Sequence, residues 1–456
     1  MNDRELLIDI CNREESSRLY DIKIGGISIY NFVRRNIIEK VASVYNLGSK
    51  YSLPEVPINE YRLSVIKSFF QILKLFVCKR RINVFIYAFS RIEKVNGQYL
   101  DKFTDPLIDL TNIKNSYIIF ENGRNGRHLK PRYHHKYVVY SDFIPWLAWH
   151  LPYIKKRMKS QYAEEFRRLE DLISSCFPEL SVDREQIIGD VISALLCVKL
   201  YGYIFKWFKI YSFIGPARDG FLNIIPAAKK NGVKVFELQH GITYGESMTY
   251  SGYRDELFTP DLFLSFGILN SAKCYGISED KVVEIGWAFE KYLKKKELNT
   301  DEDLSVLVIS SPAISEKMVN VTCEFASQYP QVLFYFRPHP NEQLDSQILE
   351  RLKSLPNIRI DNNQENVMVA LMRFDNVMGE NSTVLYEALS MGKKVGKLNL
   401  YGLTPQYLKG EDKACFYEIT DAESFAFFMN SPVDDGKPKK RLYTEFNPEA
   451  INQLLK

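Results

Sequence analysis

Metal and disulfide chemistry are poorly provided for in this chain. Its 456 residues hold six histidines and seven cysteines, the latter scattered, odd in number and without a CxxC pair. That pattern suits a reducing cytoplasm better than a disulfide framework or a zinc site. No Walker loop, no G-x-S-x-G elbow and no G-x-G-x-x-G strand-to-helix turn occurs, which counts against ATPase, hydrolase and dehydrogenase chemistry. Neither sign of charge dominates. Sixty Lys and Arg against 56 Asp and Glu leave +4, too weak a balance to argue for nucleic acid without a basic patch or motif. No apolar run is both long and uncharged. Residues 65–78 are broken by Lys67 and Lys74, and residues 191–214 carry Lys199, Lys206 and Lys209. Lysines at such depth are costly in lipid, so both segments are expected to be packed or surface-lying helices. The mixed-charge start, Met1-Asn2-Asp3-Arg4-Glu5, gives no expectation of a secretory signal.

What is present is a globular composition, 46% hydrophobic and 25% charged, in a chain too long for one ordinary core. Two domains with helical additions are expected. Helical spacing marks residues 4–11, 27–44 and 65–78. Phe69, Phe70, Leu73 and Phe76, followed by Lys79-Arg80-Arg81, suit either an anionic membrane surface or a core helix with a cationic end. Short apolar runs at 83–89, 117–120 and 137–140 have the look of buried parallel strands. The loop 121–128 between the last two is rich in glycine and cations, and a solvated turn is its plainer role. Residues 146–200 are helical in pattern. A strand, the loop Gly215-Pro216-Ala217-Arg218-Asp219-Gly220, a helix over 221–230 and a strand over 233–238 then form a βαβ unit. Further strands are expected at 262–266 and 282–285. The lysine-rich interval 291–303 reads as a linker. Beyond it strands and helices alternate cleanly to residue 398, as in a parallel sheet covered on both faces.

Ligands of open α/β sheets bind at the carboxyl ends of the strands, and three polar clusters fall there. The most telling is Gly379-Glu380-Asn381-Ser382-Thr383, followed by an amphipathic segment that Gly392 closes. Asn381 or Ser382 is positioned to cap a helix whose first N–H groups and positive dipole end suit an anion. Val384, Leu385, Ala388 and Leu389 would face the core, leaving Thr383 and Glu387, four apart, on the exposed face. A nucleotide diphosphate with its ribose fits that layout, although many such caps are only structural. A second cluster is Arg337-Pro338-His339-Pro340-Asn341, whose prolines stiffen a loop offering two donors to phosphate. The third is Gln239-His240-Gly241. His240 suits a general base or a donor to a reacting sugar, or alternatively a capping residue of a βα turn.

These motifs carry a family resemblance. "RPHP" followed by "MGENSTVLYEALSMGKKV" resembles the donor-binding domain of GT-B glycosyltransferases. "FELQHGITYG", "FGILNS", "VVEIGWAFE" and "FSRIEKVNGQYLDKFTDPLID" resemble bacterial transferases of capsule and O-antigen synthesis. The resemblance spans about residues 83–400. It implies an α/β, GT-B fold of two Rossmann-like domains facing a cleft, with a helical extension at 1–81, an acceptor domain at 82–290 and a nucleotide-sugar donor domain at 291–456. It further implies that Ser382 and Thr383 meet the donor phosphates beside Gly379, Glu380 and Asn381. Arg337 and His339 would join them, and Glu387 would hold the ribose. His240 would lie across the cleft with Gln239, Gly241 and Arg218, and either His240 or Asp219 would deprotonate the acceptor. No cofactor or metal is implied, the nucleotide-sugar being a substrate. The implied acceptor is a lipid-linked glycan at the cytoplasmic face, with peripheral membrane contact and no nucleic acid. The E-x7-E signature of many retaining enzymes is not evident, and His-Pro loops also occur in CDP-alcohol transferases and UDP-GlcNAc 2-epimerases. Those activities, or a non-catalytic GT-B scaffold, are the alternatives.

Overall fold

The computed structural model describes residues 3–45, 47, 57–77, 82–88, 92–95, 97–123, 127–134, 136–243, 247–252, 255–267, 271–292, 304–340, 342, 344–363, 365–399, 407, 410–433, 437 and 443–455. Most of the expected linker 291–303 (residues 293–303), the Lys79-Arg80-Arg81 cluster and Asn341 lie outside the described residues.

Two all-parallel sheets organise the chain. The first contains β1 (Val84–Ala88), β2 (Tyr117–Glu121), β3 (Val138–Tyr140), β4 (Ser212–Pro216), β5 (Lys234–Leu238), β6 (Leu262–Ser265) and β7 (Val282–Glu284), ordered β7-β6-β5-β4-β1-β2-β3. The second contains β8 (Ser305–Ile309), β9 (Leu333–Arg337), β10 (Ile358–Ile360), β11 (Asn376–Gly379), β12 (Lys394–Leu398) and β13 (Tyr417–Ile419), ordered β10-β9-β8-β11-β12-β13. Central strands such as β1 and β8 are buried at every residue, because helices cover both faces and leave no side for polar alternation. The two-domain parallel-sheet architecture of the GT-B kind is therefore the fold of this chain.

The helices are α1 (Asp3–Ser17), α2 (Arg34–Val44), α3 (Ile58–Val77), α4 (Asp105–Leu110), α5 (Phe143–Trp149), α6 (Pro152–Gln161), α7 (Ala163–Cys176), α8 (Arg184–Phe208) and α9 (Ile224–Lys230) in the first half. The second half adds α10 (Ser315–Gln328), α11 (Ser346–Lys353), α12 (Val367–Arg373), α13 (Thr383–Ser390), α14 (Ala422–Asn430) and α15 (Pro448–Leu454). Among the described residues α8 alone is long and apolar enough to cross a membrane, with a mean hydropathy of 1.7. More than half of that apolar window is buried, against α5, α6 and α9, so it packs as a core helix that is apolar on most sides.

Two boundaries differ from the sequence expectation. Residues 27–44 are not one helix: consecutive glycines, Gly25 and Gly26, take φ of 58° and 78°. They turn a short hairpin of Lys23–Ile24 against Ile27–Ser28, and the helix starts only at Arg34. Such paired positive φ values suit the turn of a hairpin. At the other end, the last described segment leaves the second domain for the first. Trp287 N donates to the Thr444 carbonyl at 3.0 Å and Asn447 N to that of Ile285 at 2.8 Å. Gly286, with φ 72°, has the Glu445 carbonyl where a Cβ would stand, so no other residue fits there.

Candidate functional site between the two sheets

The donor-side motif folds as a strand, a polar turn and a capped helix. β11 ends at Gly379, where a Cβ would lie 3.0 Å from the Ile309 carbonyl of the neighbouring strand. Ser382 is the cap: its backbone is extended and its Oγ accepts from Val384 N at 3.3 Å. Gly392, with φ 76°, follows the last turn. Asn381 Nδ2 donates to Glu380 Oε1 at 2.7 Å. Burial holds the Glu380 carboxyl above its ordinary pKa, with Lys397 pulling the other way. One expectation is overturned here. Glu387 is only 5% exposed, so it does not stand on an open, solvated face with Thr383.

The Arg337-Pro338-His339 loop is braced from three sides. Arg337 Nη1 donates to Asp361 Oδ2 at 2.6 Å, and Nη2 bonds the Glu365 carbonyl. Asn363 Nδ2 holds the Pro338 carbonyl at 2.9 Å. Glu342, which nothing in the sequence pattern singled out, accepts from His339 N at 2.8 Å and from Ser310 Oγ at 2.8 Å. The Arg337 guanidinium is thus a buried strut between β9 and the loop after β10, whereas the sequence expectation had it meeting phosphate. His339 is half-buried at the end of the loop.

Across the cleft, β5 ends in Gln239, whose side chain is fully buried and accepts from Phe266 N at 2.7 Å and from Ser265 Oγ at 3.3 Å. Gln239 therefore ties β5 to β6 and does not face an acceptor. Arg218 is likewise fully buried, paired with Glu237 at 2.7 Å and donating to the Tyr275 carbonyl at 2.7 Å. Its place is beneath the site, which corrects the acceptor-side expectation. Asp219 is half-buried, 3.8 Å from the Arg35 guanidinium. His240 Nδ1 lies 3.0 Å from the Tyr250 hydroxyl. Burial, then the nearby Glu237 carboxylate, keeps that phenol protonated well above its ordinary range. Two arrangements satisfy the pair. If the phenol donates to Nδ1, Nε2 carries the proton; if Nδ1–H donates, Nε2 keeps its lone pair and can act as a base.

The segment that carries Tyr250 is in turn held by the helical extension. Arg34 bonds Glu14 at 2.8 Å and reaches the Met248 carbonyl at 3.2 Å and Ser251 Oγ at 3.3 Å. Gly252, with φ 82°, admits this approach, since a Cβ there would lie 2.5 Å from the Tyr20 hydroxyl. Tyr275 closes the loop from below: Thr243 N donates to its hydroxyl, which donates to the Gly241 carbonyl, both at 3.1 Å. Tyr250 and Tyr275 follow His240 only at long range, so no local motif announced them.

The two walls touch through these loops. Ile242 N donates to Thr383 Oγ1 at 3.3 Å, and a Cβ on Gly241 would stand 3.6 Å from the same oxygen. The loop after β5 and the helix start after β11 therefore converge, each at the carboxyl edge of its own sheet.

A second polar cluster occupies the carboxyl edge of β1–β3, where the sequence suggested a solvated turn. Its ends are buried instead. His128 stacks on Tyr140 with ring centroids 3.4 Å apart, its nitrogens 2.8 Å from Glu121 and from Asp142. Arg132 joins Glu121, at 2.6 Å, to Asp105, at 2.9 Å. Asp101 Oδ1 accepts from Phe103 N and Thr104 N in the turn that leads into α4. Burial, then Asp105, pushes the Asp101 carboxyl up to about 7, with Arg132 opposing. For His128, burial works against the charged ring, but the bonds to Asp142 and Glu121 outweigh it and leave the pKa raised.

No protein-family model matches the chain, and no curated protein matches it in sequence. Solved structures align with it at low identity. UDP-GlcNAc 2-epimerase from Neisseria meningitidis, bound to UDP-GlcNAc, superposes with a TM-score of 0.48 at 13% identity over 82% of this chain and 98% of its own. The UDP-GlcNAc 2-epimerase of Methanocaldococcus jannaschii gives 0.47 at 11% over 82% and 98%. MurG of Acinetobacter baumannii gives 0.45 at 10% over 82% and 99%.

Proposed function

We propose that this chain is a metal-independent glycosyltransferase. It moves a sugar from a nucleotide-sugar to a lipid-linked glycan of a cell-surface polysaccharide, on the cytoplasmic side of the membrane. The observation that carries the proposal is the convergence of His240-Gly241-Ile242 on the Ser382-Thr383 helix start, through the Ile242–Thr383 contact at 3.3 Å. In this reading the hydroxyls of Ser382 and Thr383 and the first N–H groups of α13 receive the diphosphate. Gly379, Glu380 and Asn381 form the turn that delivers them, His339 adds a donor, and Glu387 accepts from the ribose hydroxyls. Arg337 and Arg218 act at one remove, by holding the two loops.

The transfer forms a bond from the acceptor hydroxyl oxygen to the anomeric carbon and breaks the bond from that carbon to the diphosphate. Negative charge grows on the departing phosphate, where oriented N–H dipoles can stabilise it. The acceptor proton passes to His240 Nε2 when Nδ1–H donates to Tyr250; Asp219 is the second candidate for this role.

A thermal-shift screen with UDP, GDP, CMP and CDP tests the proposal. One nucleotide is expected to raise Tm, because a ligand that binds only the folded state stabilises it. Ser382→Ala with Thr383→Val should remove that shift. A response from CDP alone would turn the reading to polyol-phosphate transfer. No response to any nucleotide would overturn it in favour of a non-catalytic scaffold.

A further inference from the structure

Helix α3 is apolar on two opposite sides, and only one of them is covered. Val65, Ser68 and Ile72 are buried, against β3 and α5. On the other side Leu63, Ile66, Phe70, Leu73 and Val77 recur at alternating spacings of three and four, which sets them in one stripe about 21 Å long. All five are exposed, Leu63 at 67%, Phe70 at 60% and Val77 at 74%.

That spacing is also the seam of a coiled coil, so a second copy of this chain is the competing occupant. Charge decides against it. Arg62 flanks the stripe on one side, and Lys67 and Lys74 on the other. The helix has one acid, Glu60, and it is paired with Arg127 at 3.0 Å. Two such helices laid together in either direction would set cations against cations across the seam. An anionic surface has the opposite demand.

The patch continues beyond α3. Phe76 touches Trp207 at the end of α8, with ring centroids 5.5 Å apart. Tyr203 and Trp207, one turn apart, are both exposed, with Lys206 and Lys209 beside them. Rings with an apolar body and a polar tip, set among lysines, suit the boundary between headgroups and acyl chains. A helix lying flat with a cation-flanked apolar stripe suits the same boundary.

We propose that the outward stripe of α3, with the Tyr203–Trp207 end of α8, docks the chain on a bilayer bearing anionic headgroups. This surface is independent of the cleft, so its failure and the failure of the transfer reading are distinguishable. The full chain should float with vesicles containing phosphatidylglycerol and not with phosphatidylcholine alone. The triple variant Leu63→Ser, Phe70→Ser, Leu73→Ser should reduce the vesicle-bound fraction about tenfold while leaving Tm and the nucleotide response unchanged. Arg62→Glu with Lys74→Glu, which leaves the apolar stripe intact, should weaken flotation on anionic vesicles, as should about 1 M salt, where screening shortens to about 3 Å. Absence of flotation by the unaltered chain would overturn the proposal. So would undiminished flotation of the triple variant, or a dimer in light scattering that the triple variant dissolves.

Discussion

The two walls of the cleft are held by different forces. On the N-terminal side, buried ion pairs join elements distant in sequence: Arg218 to Glu237, Arg34 to Glu14, and Arg132 to Asp105 and Glu121. On the C-terminal side the site-bearing turn rests on an apolar sheet and a local cap, and the Arg337–Asp361 pair keeps its carboxylate 20% exposed. Even the fully buried Lys397 sits among rings, 4.5 Å from the centroid of Tyr407 and 4.6 Å from that of Phe416. A buried charge is tolerated only while its partners are complete. The N-terminal wall is therefore the less forgiving of change.

Breaking one partner on each side gives the sharpest contrast. Arg218→Ala should destabilise by about 3–5 kcal/mol, because Glu237 would be left buried and charged. Arg337→Ala should cost less, about 1.5–3 kcal/mol, since water can reach Asp361. Denaturant unfolding of both variants measures the difference, and equal losses would remove the distinction between the walls.

Acidity probes the same contrast. The folded-state pKa of Asp101 is raised, to about 7, so its contribution is complete below its unfolded value near 4 and is lost as pH climbs through 7. His128, also raised, contributes fully below about 6.5 and loses that contribution as pH rises through its folded value. Amides of β1–β3 should consequently exchange faster, once intrinsic rates are corrected, on the alkaline side of neutrality. Asp101→Asn should flatten the dependence of Tm on pH between about 4 and 7. An unaltered pH profile in that variant would show that the carboxyl does not titrate in this range.

The smallest expected effect is at the cap. Ser382→Ala should cost about 1 kcal/mol of stability, while removing nucleotide binding. If the variant loses stability but still binds, Ser382 is a cap and nothing more.

The walls also differ in how far they could be seen in the sequence. The alternation of apolar runs and amphipathic segments marked most strands of both sheets, because buried parallel strands leave a continuous apolar signature. The cap of α13 was legible for the same reason: Ser382, Val384 and Gly392 are neighbours in the chain, and capping is a local bond. Tyr250 and Tyr275 were not, since their hydroxyls reach the His240 loop through tertiary contacts that no local spacing encodes. Glu14 and Arg34 lie 20 residues apart, and the Met248 carbonyl that Arg34 holds is 214 away. No periodicity encodes such a match. Arg337 and Glu387 were misjudged in outlook for a related reason: spacing assigns a residue to a helix face or strand end, but which neighbours then bury it is a tertiary fact.

The central claim is that Gly241 and Thr383 line one nucleotide site shared by both walls. Gly241→Val tests it most directly, because a Cβ there already stands 3.6 Å from Thr383 Oγ1 and the larger side chain would press on that hydroxyl. Calorimetric titration with the nucleotide that raises Tm should show a loss of affinity of about tenfold or more, at least 1.4 kcal/mol, with Tm of the unliganded chain retained. Unchanged affinity in a folded Gly241→Val variant would contradict the account.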